Sequence, residues 1–168
     1  MQTIRLSSGR DVVIRPIRPD GGSRLQAAHE RLSPETRYRR FLGSKPKLTS
    51  ADTRYLVDVD GFDHVAMVAT LAGDPERIIG VGRFIRLPED PEAAEFAIVV
   101  GDEYQSEGLG TALLERLSDA ARRRGIERFT AMILADNVAV HRFFAGLSAG
   151  LSSRRFGTIE EVELELAS

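Results

Sequence analysis

The residues best able to do chemistry lie in one stretch, Ala94-Glu95-Phe96-Ala97-Ile98-Val99-Val100-Gly101-Asp102-Glu103-Tyr104-Gln105-Ser106-Glu107-Gly108-Leu109-Gly110-Thr111. It reads as an apolar strand, a short polar turn and a glycine-marked entry into a long helix. The first N–H groups of a helix have no acceptor inside it, and glycines let a ligand approach them, so this turn can cradle a phosphate or pyrophosphate. The same glycines suit a turn that merely needs tight geometry, and spacing alone leaves both readings open. Two nucleotide motifs are excluded. No Gly-Lys-Ser/Thr follows, and Gly108-Leu109-Gly110 lacks the third glycine of a dinucleotide fingerprint. Glu95 stands between Ala94 and Phe96. A carboxylate that loses water in an apolar strand becomes a stronger base, so Glu95 can accept a proton; the alternative is an exposed acid at a strand start.

The other reactive residue types narrow the possibilities. The chain has no cysteine, which removes disulfides, thiolate metal sites and cysteine nucleophiles, and its histidines, at 29, 64 and 141, have no metal-ligand spacing. No metal is expected. His29 reads as a helix-surface residue, His141 as facing solvent or a cofactor rim, and His64 as a structural histidine with an alternative role as base. No serine sits in a Gly-x-Ser-x-Gly elbow, which disfavours a serine hydrolase. Tyr104 reads as packing. Arg37, Arg39, Arg40, Lys45 and Lys47 form a basic cluster, either a solvated face or a groove for acidic protein segments. Lys and Arg total 23 against 25 Asp and Glu, a balance that argues against a dedicated nucleic-acid binder. No apolar run approaches the roughly 20 residues that span a bilayer, and Met1-Gln2-Thr3-Ile4-Arg5 does not open a signal peptide. No membrane partner and a cytoplasmic location are expected.

The elements that must hold these residues follow from periodicity. At 168 residues the chain is expected to form one domain, 1–168. Strands are expected over 3–6 and 11–17, then helices over 20–32, from Ser33-Pro34, and from Thr49 or Ser50. Tyr38, Phe41, Leu42, Tyr55 and Leu56 are expected to face inward. Strands over 64–71, 77–87 and 93–100 form an antiparallel meander with turns at Gly73-Asp74-Pro75 and Pro88-Glu89-Asp90-Pro91. Leu109, Leu113, Leu117 and Ala120 mark a helix over 109–124 that Gly125 ends. A strand over 126–134, a helix over 137–147 and strands over 151–156 and 158–166 complete the order. The expected fold is α/β: a mixed, mostly antiparallel twisted sheet with helices on both faces.

Gln105-x-x-Gly108-x-Gly110, after an apolar strand and before a long helix, a strand and then Asn137, resembles motif A of the GNAT acetyltransferases, whose element order also matches. The resemblance implies acetyl-CoA as donor and an amine acceptor. Ile98, Val99 and Val100 would run along the pantetheine arm. The N–H groups of Ser106, Glu107, Gly108, Leu109, Gly110 and Thr111, in the loop opened by Gln105, would surround the pyrophosphate. Asn137 would contact the cofactor, with Phe143 and Phe144 near the thioester. Glu95 matches the general base. Phe144 stands where the family often carries a tyrosine acid, so the resemblance supplies no general acid. Residues 33–41 and 59–66 look like the bacterial protein-lysine acetyltransferase branch, which implies a protein lysine as acceptor; a small amine or amino acid is the alternative acceptor, and a non-catalytic acyl-CoA sensor the alternative class. The best-known members of that branch carry a fused cyclic-nucleotide-binding domain, which this chain has no room for.

Overall fold

The computed structural model describes residues 2–42, 45, 47–146 and 150–166. Alternating β-branched residues open it as a hairpin, β1 (Gln2–Arg5) and β2 (Asp11–Pro16), with Val12 and Ile14 fully buried. Three short helices follow: α1 (Gly22–Arg31), α2 (Pro34–Phe41) and α3 (Ser50–Val57). The meander β3 (His64–Leu71), β4 (Asp74–Leu87) and β5 (Asp90–Val100) leads to α4 (Leu109–Arg122), β6 (Arg128–Leu134), α5 (Val138–Ala145), β7 (Leu151–Phe156) and β8 (Ile159–Glu165). The strands form one sheet in the order β1-β2-β3-β4-β5-β6-β8-β7. Its pairs are antiparallel except β5 with β6, because α4 carries the chain back across the sheet between them.

The two-residue period of the strands divides the core. Ala94, Phe96 and Ile98 of β5 face α4 and α5, packing with Phe84, Leu117, Phe129 and Phe144. Val99 turns the other way, beneath α1 to α3, with Leu25, Leu56 and Val81. Phe96 stacks on Phe129 at 5.1 Å between ring centroids, and each such fully buried ring stabilises the fold by roughly 1.5–3 kcal/mol. Gly82 of β4 admits the long helix closely: a Cβ there would lie 2.8 Å from Leu117 Cδ1.

The expected α/β architecture is present, with differences of detail. β4 begins at Asp74 and β5 at Asp90, because Leu71 pairs with Asp74 and Leu87 with Asp90, leaving only two residues in each turn. Thr49, not Ser50, caps α3, and its reciprocal bonds with Asp52 form a capping box. Tyr38 and Tyr55 were expected inside but are 47% and 57% exposed. On the eight-residue α3 the narrow inward stripe is taken by Leu56 and Val57, while α2 buries no residue fully and turns Phe41 toward the core instead of Tyr38. His29, expected on the surface, is buried: it sits edge-on against the Phe41 ring and its Nε2 lies 2.6 Å from Lys45 O, which only the packing of α1 against α2 creates. Leu147, the expected end of α5, lies outside the described residues. Among them no helix is long and apolar enough to cross a membrane.

Candidate active site

β5 and β6 pair only at Ala93–Arg128, Ala94–Phe129 and Glu95–Thr130. Beyond Glu95, β5 stays with β4 up to Val100–Gly80, while β6 follows β8 up to Leu134–Ile159. Each strand keeps its antiparallel partner, and the accumulated twist pulls the parallel pair apart. From Phe96 onward the edge of β5 facing β6 has no strand partner. The gap is a cleft of about 550 Å³, within the range of small-molecule sites.

The turn after β5 closes one end of this cleft. Gln105 Nε2 donates to Val100 O at 3.0 Å, fastening the turn to the strand it leaves. Gly108 is the N-cap of α4 with φ of 93°, a left-handed conformation that costs glycine little, and it offers no side-chain cap. The first bond of this turn is Ala112 N–H to Gly108 O, so the preceding amides at the helix start have no intrahelical acceptor. A Cβ on Gly108 would meet nothing within 4 Å, so the space beside the helix start is open. Uncapped amides, a helix dipole and open space make an anion site.

Ile98, Val99, Val100, Gln105, Ser106, Gly108, Gly110, Thr111, Asn137, Phe143 and Phe144 all border the cleft. The side chains of Glu107 and Leu109 do not. Leu109 is 1% exposed in the core, and the Glu107 carbonyl accepts from Ser7 N–H of the β1–β2 turn at 3.2 Å. Asn137 caps α5 by accepting from Val140 N–H through Oδ1, and it borders the cleft. Phe144 is buried edge-on against Phe96 and presents no hydroxyl. Sequence reasoning missed the wall that β6 contributes, Ala131 to Ile133, and did not single out Arg39, Arg40 and Arg142 at the rim. Arg39 and Arg40 were visible only as part of the basic cluster.

The structure disperses that cluster. Arg39 pairs with Glu35 at 2.5 Å, Lys45 with Asp52 at 2.9 Å, and Arg37 donates to Glu30 O. Arg40 turns inward over the Phe41 ring and borders the cleft. Asp102 fixes α2 to the turn after β5, accepting from Ser33 N–H, Ser33 Oγ and Thr36 Oγ1 at 2.7–2.9 Å. Burial alone would push the Asp102 carboxyl up, but these bonds together carry it below its ordinary range.

Glu95 lies on the sheet face beneath α2 and α3 and is exposed, so the expected burial by the strand is absent. Burial pushes the Arg40 guanidinium down, and the Glu95 carboxylate opposes that. Arg83, 4% exposed, donates from Nη1 to Leu56 O at 2.9 Å and to His64 Nε2 at 3.0 Å. Burial, then repulsion from Arg40, lowers Arg83 to about 10. Because Arg83 always donates, His64 Nε2 must accept, which uses the lone pair a base would need. His141 faces neither solvent alone nor the cofactor rim: its Nε2 lies 2.6 Å from Glu160 Oε2. His141 therefore ties α5 to β8.

Burial and the Arg83 charge lower His64 to about 4, below the ordinary histidine value. The folded chain thus takes up fewer protons there than the unfolded chain, so this stability is complete above pH ~6.5 and is lost as pH falls toward ~4. The free energy of unfolding is expected to fall over that window by on the order of 2 kcal/mol, lowering the thermal midpoint, and the midpoint is expected to fall less in His64→Gln. His29, lowered by burial, adds in the same direction. A wild-type midpoint that stays level between these pH values refutes the expectation.

Residues 26–147 match the family model described as the acetyltransferase (GNAT) family. The acetyltransferase Pat of Mycolicibacterium smegmatis is 35% identical over 146 residues, covering 87% of this chain and 43% of that protein. The chain therefore spans less than half the length of this curated relative. The GNAT domain of S. lividans PAT superposes with a TM-score of 0.89 at 30% identity, over 98% of this chain and 96% of that one. The Salmonella typhimurium protein yncA, solved with its cofactor acetyl-CoA, has a TM-score of 0.71 at 19% identity and shares the fold.

Proposed function

The chain belongs to the GNAT family of acetyltransferases, and from that premise we propose that it moves an acetyl group from acetyl-CoA to the side-chain amine of a lysine on another protein. One observation carries the donor: the unpaired edge of β5 and the uncapped start of α4 border the same cleft. Acetyl-CoA needs both, since its pantetheine amides match a strand edge and its pyrophosphate matches free helix amides. Asn137 and Phe143 would flank the cofactor, and Gly108 permits the close approach. Acetyl-CoA supplies the activated thioester.

The residues of the chain supply position and a proton acceptor. A lysine ammonium, with an ordinary pKa near 10.4, must lose a proton before its nitrogen can attack. Glu95, at the last paired position before the strands part, would take that proton directly or through a water. The nitrogen then bonds to the thioester carbon, the C–S bond breaks, and the thiolate takes a proton from water or from the former ammonium. No covalent enzyme intermediate is needed, and the rate comes from positioning and deprotonation.

The lysine acceptor draws support from the likeness of residues 33–41 and 59–66 to the protein-lysine acetyltransferase branch. A cytoplasmic location fits this role. Incubating candidate bacterial proteins with the chain and acetyl-CoA, followed by mass spectrometry, is expected to find acetylated lysines. Rapid turnover of a free amine or amino acid with no protein modified would establish the small-molecule acceptor instead. Tight binding with no thiol release from any acceptor would make the chain a sensor.

A further inference from the structure

A second cavity of about 150 Å³ lies beneath α1 and α2, walled by Leu25, Leu56, Val81 and Val99 and bordered by the guanidinium-bearing Arg40 and Arg83. It shares Arg40, Val99 and Tyr104 with the cofactor cleft, so the two spaces adjoin. Arg31 and Arg77 border it as well, and Arg77 Nε is buried with no hydrogen-bond partner among the described residues. Arg83 is 4% exposed and makes no ion pair among the described residues, and both of its hydrogen-bond contacts are made by Nη1. Arg40 is half-buried and makes no ion pair among the described residues, unlike Arg39 on the same helix, with the Glu95 carboxylate partly offsetting its charge. Asp102 and Glu103 also border the cavity, and the Asp102 carboxylate is already engaged by Ser33 and Thr36. Four guanidinium groups against two carboxylates leave the lining net positive, and an anion entering here would offset the cost of burying that charge.

The position of the cavity names the anion. Arg83 pairs with Ala97 and Ile85 with Glu95, so Arg83 and Glu95 are diagonal neighbours on one sheet face, a spacing of roughly 7–8 Å. Resting on the acetyltransferase reading above, we propose that Arg40 and Arg83 form a receptor for a carboxylate carried by the acceptor, placing its amine at Glu95. An acidic side chain beside the target lysine covers that span, and so does the α-carboxylate of a free amino acid. Guanidinium is the suited group, because its fork of donors matches a carboxylate.

Two measurements test this, the first independent of turnover. With coenzyme A present to occupy the start of α4, glutarate is expected to raise the thermal midpoint of the wild-type chain, and glutaramide is not. Arg40→Gln and Arg83→Lys are expected to abolish the glutarate shift. Arg37→Gln, which removes a charge from the same helix but from neither cavity, is expected to keep it. Arg40→Gln decides the matter if Arg83→Lys fails to fold. Equal protection in all variants, or none in the wild type, overturns the carboxylate receptor. In the second measurement, kcat/KM for acetyl transfer is compared between lysine peptides flanked by Glu or by Gln, and between lysine and lysinamide. A carboxylate is expected to favour transfer about 10- to 100-fold in the arm that matches the natural source, an advantage lost in Arg40→Gln. No preference in either arm overturns the proposal while leaving acetyl transfer intact. A chain inert toward every acceptor sinks the enzymatic reading, and the glutarate result then decides the receptor alone.

Discussion

A Gly108→Val chain is expected to lose at least about 100-fold in affinity for acetyl-CoA. Gly108 sits at φ of 93°, and a Cβ there points into open space beside the helix start. In the unliganded chain the side chain would meet nothing, so the harm falls on the ligand. A valine would stand where the pyrophosphate must approach, and each charge-assisted bond lost there is worth about 1.5–3 kcal/mol, so two lost bonds exceed 100-fold. The left-handed backbone adds a stability cost of about 1–2 kcal/mol, visible as a lower thermal midpoint. Two milder variants isolate the cause. Gly110→Ala brings a Cβ to 3.4 Å from Phe143 Cε1, a contact the half-buried ring can relieve, so its affinity is expected to change little. Gln105→Ala loses one bond to Val100 O, about 1 kcal/mol and roughly fivefold. Calorimetry reads all three. Unchanged affinity in a folded Gly108→Val chain would remove the pyrophosphate assignment.

Glu95→Gln is expected to keep acetyl-CoA affinity and to lower turnover about 10²–10⁴-fold, the usual loss of a general base. Glutamine preserves size and hydrogen bonding but cannot take the proton. Its side chain does not border the cleft, which is why binding should survive. Glu95 also opposes the charge of Arg40, so the variant's thermal midpoint must be recorded to separate lost chemistry from lost stability. Turnover at the wild-type level from pH 6 to 9 would move the role to a water chain. His64 cannot inherit it, because Arg83 holds its Nε2 lone pair.

Much of this was legible in the residues taken in order. Element order, the long helix from Leu109, the glycine-marked turn and the mixed sheet all follow from signals within a few positions of one another: a period of two in β5, a row of leucines in α4, Gly108 at a cap. So does the roster of residues around the turn, because the loop and the helix it opens are contiguous. Tertiary structure alone decided what depends on distant partners. β5 and β6 part after Glu95 because each is held by a different antiparallel neighbour, a competition between registers that no local pattern contains. His29 reads as a surface residue on α1 and becomes buried only when Phe41 and Lys45 close over it. Arg40 reads as one of five cations, and packing pairs its neighbours while leaving it inward beside the cleft. Arg83 carried no signal at all, since a charge in an apolar strand becomes informative only once Leu56, His64 and Ala97 are seen around it. Local periodicity specifies which face a side chain takes; what waits on that face is set by chain segments tens of residues away.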